Sequence, residues 1–356
     1  MKVFHSLYSQ ITSVENLFQA WEEFKKGKLR KLDVGRFERN LEDNLFSIYK
    51  ELMEKTYKHN PYIGFYITDP KQRHIHKAEV RDRIVHHALF KVLNPLFDNT
   101  FISDSYSCRK GYGTHKGFKK LVIYARKVSK NYTRNCWALK CDIKKFFDSV
   151  DHDILLRIIK GKIEDENTLW LLEEIIQSYE AENKDCHPSF AMTGNRRGIP
   201  IGNLTSQLFA NIYLNELDQY IKHKLKVKYY LRYADDFILL SSSKELLETY
   251  LCEIEQFLQE KLKLSLHPRK TVFKKLSWGI DFVGYIALPH YEVLRTKTKR
   301  RIFKQIKKKI ELYKSGNITK QEFEQSHASY FGILTHANTY KIKKELRKLL
   351  AVLLTK

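Results

Sequence analysis

Two short apolar stretches flank a pair of aspartates in YYLRYADDFILLSS, residues 229–242. Both flanks have strand composition, because aromatic and large apolar residues are enriched in β-strands. Asp235 and Asp236 lie between them, where a tight hairpin would place both carboxylates at the end of a sheet. An Asp-Asp pair between strands is ordinarily only a turn, so this stretch needs a further acidic partner before it indicates chemistry.

A partner is available in WALKCDIKKFFDSVDHDIL, residues 137–155, where an apolar strand ends near Asp142 and a helical stretch follows. Alone, Asp142 would equally suit a helix cap. Nucleotidyl transfer, however, requires two metal ions roughly 4 Å apart, and hard cations such as Mg²⁺ prefer oxygen ligands. The order of Asp142, a glycine-containing loop at 198–202, and Asp235 with Asp236 therefore predicts an α+β polymerase site.

Composition limits the partners. The 356 residues are 43% hydrophobic, enough for a buried core, and the formal net charge of +23 favours a polyanion as partner. Charge does not distinguish DNA from RNA. We find no apolar run near the roughly 20 residues that span a bilayer and no signal-peptide stretch, so we expect a cytoplasmic protein without membrane partners. Five cysteines without CxxC spacing indicate reduced thiols.

Helices are predicted at both ends of the chain. Leu41, Leu45, Ile48 and Leu52 recur at helical spacing within a helical region of about 60 residues.

A strand is predicted further along the chain, where Leu262, Leu264 and Leu266 alternate with polar residues.

Beyond Tyr291 the sequence has 17 Lys and Arg against 5 Asp and Glu. The basic run from Lys297 to Lys309 is compatible with a helix, and Thr319 with Glu322 forms a capping-box pattern at the start of another. Such charge is often only a solvated face. Behind a polymerase site, it predicts a lobe that grips a nucleic-acid duplex.

Several ordered stretches between about Asp69 and Tyr340 resemble reverse transcriptases. They are DPKQRHIHKAEVRDRIVHHAL (69–89), SYSCRKGYGTHKG (105–117), DIKKFFDSVDHDIL (142–155), GIPIGNLTSQLFANIYLNELD (198–218), YADD (233–236), LSLHPRKT (264–271), GIDFVGY (279–285) and THANTY (335–340). The resemblance implies a right-hand polymerase with an N-terminal helical extension (1–64), fingers and palm (65–290) and a basic helical thumb (291–356). It also implies two Mg²⁺ ions, with Mn²⁺ as an alternative, held by Asp142, the backbone carbonyl of Ile143, Asp235 and Asp236.

The resemblance further assigns a nucleotide pocket. Phe147, five residues after Asp142, is the bulky side chain that would collide with a ribose 2'-OH; packing in the core is the alternative for it or for Phe146. Lys71 and Arg73 match cations that clamp the incoming triphosphate. Arg109, next to Gly111 and Gly113, is assigned to the same dNTP-binding set and is expected to order the same loop or to touch the template, with solvated surface as its alternative.

Two more assignments follow from the resemblance. Lys270 lies where the family places a catalytic lysine that can protonate the departing pyrophosphate; a basic surface lysine is the alternative. Gly279, Phe282 and Gly284 belong to a segment similar to the primer-grip hairpin.

A subfamily is suggested by residues 201–207. Where most reverse transcriptases have QGxxxSP, this chain has Ile201 in place of the glutamine and Gln207 in place of the proline. The resemblance assigns both residues to the dNTP-binding pocket. This departure resembles the reverse transcriptases of diversity-generating retroelements, which copy a template RNA with frequent errors at adenines (mutagenic retrohoming). That likeness implies template RNA, primer, cDNA and dNTPs as partners, together with a basic, oligomeric accessory variability-determinant protein.

Other functions remain open at this stage. A retron, group II-like or phage-defence reverse transcriptase would share the same motifs. A catalytically silent nucleic-acid-binding scaffold would not need the intact Asp142, Asp235 and Asp236. Phe147 disfavours an RNA-synthesising polymerase, and the sequence contains no P-loop, HExxH or CxxC pattern.

Overall fold

The computed structural model describes residues 4–69, 71–181 and 196–354, and Cys186 lies outside them. The α-helices are α1 (Tyr8–Thr12), α2 (Val14–Lys25), α3 (Leu32–Arg39), α4 (Leu41–Met53), α5 (Val80–Asp98), α6 (Thr114–Val128), α7 (Phe146–Ser149), α8 (His152–Lys160), α9 (Glu166–Gln177), α10 (Leu204–Gln219), α11 (Lys244–Leu262), α12 (Thr296–Lys314), α13 (Lys320–Leu334) and α14 (Tyr340–Leu354). The strands are β1 (Ile63–Ile67), β2 (Arg73–Lys77), β3 (Trp137–Asp142), β4 (Tyr230–Tyr233), β5 (Asp236–Ser241), β6 (Val272–Lys275), β7 (Ile280–Phe282), β8 (Tyr285–Leu288) and β9 (Tyr291–Leu294). The fold is thus mixed helix and sheet, as predicted.

The central sheet has the strand order β4-β5-β3-β6, with antiparallel neighbours. Successive side chains of a strand point to opposite faces. Leu139 and Leu239 lie in one hydrophobic core, while Ala138 and Ile238 lie in a second core on the other face. Because both faces are covered, β5 is apolar from Phe237 to Leu240, with all four side chains buried.

The N-terminal helices pack into the first core. Leu45, Ile48 and Leu52 of α4 are buried there, which confirms the helical periodicity. Helix α2 contacts α5, so the predicted extension shares a core with the residues that follow it.

Strands β1 and β2 form an antiparallel hairpin that is exposed along most of β1. Its base is attached to the loop before α10: the Ile201 carbonyl accepts a hydrogen bond from His76 N at 3.0 Å, and Asn203 Nδ2 donates to the His76 carbonyl at 2.8 Å. Near its turn, Asp69 accepts a hydrogen bond from Gln305 of α12 at 2.9 Å. The hairpin is therefore fixed at its base and touches the C-terminal helices at its tip.

The C-terminal part contains a three-stranded sheet, β7-β8-β9, and helices α12 to α14. Ile302, Ile306 and Ile310 bury one face of α12 in the second core and leave its lysines and arginines on the other faces. The capping box of Thr319 and Glu322 is present. This sheet continues through β9, across the predicted boundary at 290.

One strand prediction is wrong. Helix α11 continues through Leu262 and ends at Lys263, which adopts a left-handed φ of 50°. After it, Leu266 forms only an isolated bridge with Ile143. Among the described residues, no helix is long and apolar enough to cross a membrane, and Cys108, Cys136, Cys141 and Cys252 are free thiols.

Candidate functional site: an acidic cluster at the end of the central sheet

The YADD sequence forms the turn between β4 and β5. Tyr233 pairs with Asp236, so Ala234 and Asp235 are the two turn residues. Ala234 has a φ of 54°, in the left-handed region that a tight hairpin requires. Asp236 also pairs with Asp142 at the end of β3. The sheet register therefore brings Asp142, Asp235 and Asp236 together; we call these three residues the acidic cluster.

The carboxylates of the acidic cluster repel one another. Burial raises the pKa of Asp235, and the charge of Asp142 adds to the effect. Burial, together with the charges of Asp235 and Asp142 and a side-chain hydrogen bond to Asp142, raises the pKa of Asp236 to about 6. Concentrated negative charge of this kind is stabilised by cations.

The fit to divalent metal rests on this donor set. Within residues 4–69, 71–181 and 196–354, no group of three His, Cys, Asp or Glu side chains encloses an ion by itself. Magnesium sites at phosphates usually combine one or two carboxylates with substrate oxygens and water. The three adjacent carboxylates of the acidic cluster therefore suit Mg²⁺ bound together with a triphosphate, provided that the proton shared by Asp142 and Asp236 is lost. Ile143, the predicted carbonyl ligand, directly follows Asp142 and is buried.

Two lysines supply positive charge to the acidic cluster. Lys270 Nζ lies 2.7 Å from Asp142 Oδ1, and His267 N donates to the Asp142 carbonyl at 2.8 Å. Lys140 lowers the pKa of Asp236 and also lies 3.4 Å from Asp281 Oδ2. The stretch around Lys270, predicted from sequence as part of the site, is thus held against the first aspartate.

The two phenylalanines after Asp142 have different environments. Phe146 is buried at 2% exposure and packs edge-on against Tyr213. Phe147 is half-buried, and its carbonyl accepts a hydrogen bond from Ile199 N at 2.7 Å. Phe147 also packs against the edge of the first core, but unlike Phe146 it remains partly exposed to solvent.

The predicted triphosphate cations lie on the β1–β2 hairpin. Lys71 and Arg73 are exposed, and the positive charge of Arg73 lowers the pKa of Asp235, so Arg73 is within electrostatic reach of the acidic cluster. The hairpin base holds the half-buried Ile201, and the exposed Gln207 lies in the first turn of α10. Arg73 begins β2, and Ile201 is hydrogen-bonded to His76 of the same strand.

Arg109 is engaged elsewhere. Its Nε donates to Asp98 Oδ1 at 2.6 Å, its Nη1 donates to the carbonyl of Ile102 at 2.7 Å, and its side chain is only 5% exposed. These contacts fix the loop after α5. They favour the loop-ordering role expected for Arg109 over contact with the nucleotide or template, and they exclude a solvated surface position.

The predicted primer-grip residues form the β7–β8 hairpin. Gly279 has a φ of 83°, and a Cβ there would lie 2.7 Å from Ile286 Cγ2, so glycine is required. Phe282 is fully buried, and Gly284, at φ 94°, lies in the turn. Asp281 contacts Lys140 of β3. The hairpin is therefore tied to the strand that carries Asp142.

A buried ion pair that was not predicted from the sequence lies behind the turn. Arg232 and Asp218 are both fully buried; Arg232 Nε donates to Asp218 Oδ1 at 2.8 Å and Nη2 to Oδ2 at 2.6 Å. Tyr230 also donates to Asp218, at 2.6 Å. The guanidinium then donates through Nη1 to the carbonyl of Ala234 at 3.0 Å. Burial alone would lower the pKa of Arg232, but the charge of Asp218 outweighs it and raises that pKa.

This pair anchors the backbone of the turn that carries Asp235. The signal in the sequence was a charged residue inside an apolar strand, YYLRY, together with an aspartate at the end of the apolar helix α10. A charge in such a position must be paired.

Comparisons with known proteins agree with the geometry. The family model described as reverse transcriptase (RNA-dependent DNA polymerase) matches residues 65–287. Protein YkfC of Escherichia coli strain K12 is 26% identical over 269 residues, which cover 66% of this chain and 68% of YkfC. The group II intron-encoded protein LtrA of Lactococcus lactis subsp. cremoris is 27% identical over 191 residues, covering 53% of this chain and 30% of LtrA.

A putative COX1/OXI3 intron 2 protein of Saccharomyces cerevisiae is 24% identical over 285 residues, covering 64% of this chain and 31% of that protein. The chain thus spans about two thirds of YkfC and less than a third of the two intron proteins. Because the family model covers more than half of its residues, the chain belongs to the reverse transcriptase family.

Proposed function

We propose that the chain is an RNA-directed DNA polymerase that copies template RNA into cDNA. Residues 65–290 would be its fingers and palm, with β1–β2 in the fingers and the central sheet in the palm, and residues 291–356 its thumb. The observation that carries the proposal is the meeting of Asp142 with the turn of Asp235 and Asp236. Family membership supports the same activity.

The chemistry divides among a few side chains. The acidic cluster and the Ile143 carbonyl would hold two divalent ions, which make the primer hydroxyl a better nucleophile and take charge from the leaving pyrophosphate. Lys71 and Arg73 bind the triphosphate, and Phe147 excludes the ribose 2'-OH. Lys270 donates a proton from Nζ to the pyrophosphate.

The finer proposal is the error-prone enzyme of a diversity-generating retroelement, acting with a basic accessory protein. Its support is Ile201: an apolar side chain at the hairpin base, where most of the family has a hydrogen-bonding glutamine. Loss of such a contact flattens discrimination between right and wrong base pairs. A group II-like enzyme is the second candidate, since LtrA and yeast intron proteins are among the relatives.

Primer extension on primed RNA with Mg²⁺ tests the activity. We expect DNA synthesis by the wild type and a loss of about a thousandfold in Asp235→Asn, because metal binding contributes several kcal/mol to such reactions. Asp153→Asn, at an exposed aspartate of α8, is the matched control. Absence of synthesis by the wild type would refute the polymerase.

Sequencing the products on adenine-containing RNA, with and without the accessory protein, separates the two candidates. Errors concentrated at adenines support the retroelement enzyme. Accurate copying at adenines supports the group II-like enzyme.

A further inference from the structure

The edge of the central sheet far from the acidic cluster carries an aromatic and basic surface. Trp278 is 63% exposed, an unusual state for so large an apolar side chain. Its ring lies 5.6 Å from that of Trp137 at an interplanar angle of 85°. Lys275 lies over both rings, with Nζ 4.9 Å from the Trp137 centroid and 5.9 Å from the Trp278 centroid. We call Trp137, Lys275 and Trp278 the tryptophan shelf.

A polar cavity adjoins the tryptophan shelf. Its volume is about 580 Å³, and Lys275 lines it together with Arg134. The other described lining residues carry hydroxyl, amide, thiol or apolar groups, and none of them is acidic. Two cations surrounded by neutral hydrogen-bonding groups favour an anionic ligand.

The tryptophan shelf is remote from the acidic cluster. Trp137 begins β3 and Asp142 ends it. At about 3.3 Å per residue, the strand separates the two by roughly 17 Å. Trp278 directly precedes Gly279 of the predicted primer-grip hairpin, so the surface borders the expected path of nucleic acid without belonging to the proposed polymerase site.

Edge protection does not explain the whole surface. β6 is an outer strand of the central sheet, and lysines on an outer strand discourage pairing with other chains. Lys274 and Lys275 serve that purpose, but an exposed tryptophan does not. Exposed aromatic rings interleaved with cations are the usual arrangement for single-stranded nucleic acid, in which bases stack on rings and phosphates meet basic side chains.

We propose that the tryptophan shelf and its adjoining cavity bind single-stranded RNA, with a base stacked on Trp278 and phosphates at Lys275 and Arg134. The formal net charge of +23 makes a polyanion the favoured occupant. The choice of RNA over single-stranded DNA as the ligand rests on the proposed function, in which RNA is the template. The surface would hold a template segment outside the polymerase cleft.

The test uses the full chain with a saturating short blunt RNA–DNA duplex, so that the proposed cleft is occupied. A labelled, unstructured single-stranded RNA of 20 nucleotides is titrated by fluorescence anisotropy, and tryptophan emission is followed at the same time. We expect RNA to quench tryptophan emission in the wild type. Trp278→Ala should bind about tenfold more weakly and lose most of the quenching, since stacking contributes this much per base.

Matched variants sharpen the outcome. Trp278→Phe should retain most of the affinity, and Lys275→Gln should reduce the salt slope by about 0.7 for one lost phosphate contact. Phe46→Ala removes another exposed aromatic ring, in α4, and should bind as the wild type does. Affinity of Trp278→Ala within twofold of the wild type would overturn the proposal, as would an equal loss in Phe46→Ala.

A single-stranded DNA of the same sequence forms the second arm. Dependence on Trp278 for DNA and not for RNA would also overturn the proposal. The binding result is independent of catalysis. A wild-type protein that makes no DNA but binds RNA through Trp278 would refute the proposed function and would still support RNA binding at the tryptophan shelf.

Discussion

The acidic end of the central sheet and the β1–β2 hairpin are built in opposite ways. At the acidic end, the turn backbone is held by a fully buried Arg232–Asp218 pair, Asp142 is buried, and Asp235 and Asp236 are half-buried. The hairpin is exposed along most of β1, and both Lys71 and Arg73 are exposed. The difference indicates that the fold itself positions the acidic cluster, whereas the β1–β2 hairpin is an exposed arm held at its base and near its tip.

The largest effect is expected when Arg232, which anchors the backbone of the turn, is replaced. Arg232→Met leaves the Asp218 carboxylate buried without its partner, which should lower the free energy of unfolding by about 3–5 kcal/mol. Urea denaturation measures the loss. The double variant Arg232→Met with Asp218→Leu removes both charges and should recover much of the stability.

Activity separates anchoring from stability. The double variant still lacks the donor to the Ala234 carbonyl, so we expect its DNA synthesis to remain at least tenfold below the wild type. Full activity in a stable double variant would mean that the pair serves folding alone.

The next test concerns the two adjacent phenylalanines. Phe147→Ala should increase ribonucleotide use relative to deoxynucleotides by about tenfold to a hundredfold, because the proposed obstacle to the 2'-OH is removed. Competitive primer extension measures the ratio. Phe146→Leu is the matched control: it should lower stability through poorer core packing and leave sugar preference unchanged. Unchanged preference in Phe147→Ala would refute its assignment.

On the exposed arm, substitutions should affect binding without affecting stability. Arg73→Ala should raise the KM for dNTPs about tenfold to a hundredfold, the range expected for a lost charged hydrogen bond, with unfolding unchanged. Steady-state kinetics and urea denaturation check both parts. Lys26→Ala, at an exposed lysine that follows α2, should change neither the KM for dNTPs nor the free energy of unfolding. A lower free energy of unfolding in Arg73→Ala would show that the side chains of the hairpin contribute to the stability of the fold.

The acidic cluster could be predicted from the sequence because a two-residue turn and a strand end are local features, which the sheet register then brings together. Ion pairs could not be predicted, because each partner lies in another element of the fold. The ion pair of Arg109 with Asp98 and that of Arg232 with Asp218 join residues that composition does not connect. The predicted strand through Leu264 failed because three alternating leucines also fit the end of α11 followed by an irregular segment.

The smallest predicted effect arises from the repulsion within the acidic cluster. The pKa of Asp236 is raised to about 6, so the folded protein holds this proton more tightly than the unfolded chain does. Stability should therefore fall as pH rises from about 4 to about 6 and stay lower above that range. Asp236→Asn removes the repulsion and should stabilise the metal-free protein at pH 7.5 by about 1–2 kcal/mol, with little change near pH 4.

Urea denaturation in EDTA at both pH values measures this difference in stability, with Asp153→Asn as control. Mg²⁺ should then reverse the order at pH 7.5, because it stabilises the wild type by binding the carboxylate that the variant lacks. An Asn variant less stable than the wild type at both pH values would mean that Asp236 is held by favourable contacts, and the acidic end would no longer be a preformed site for cations.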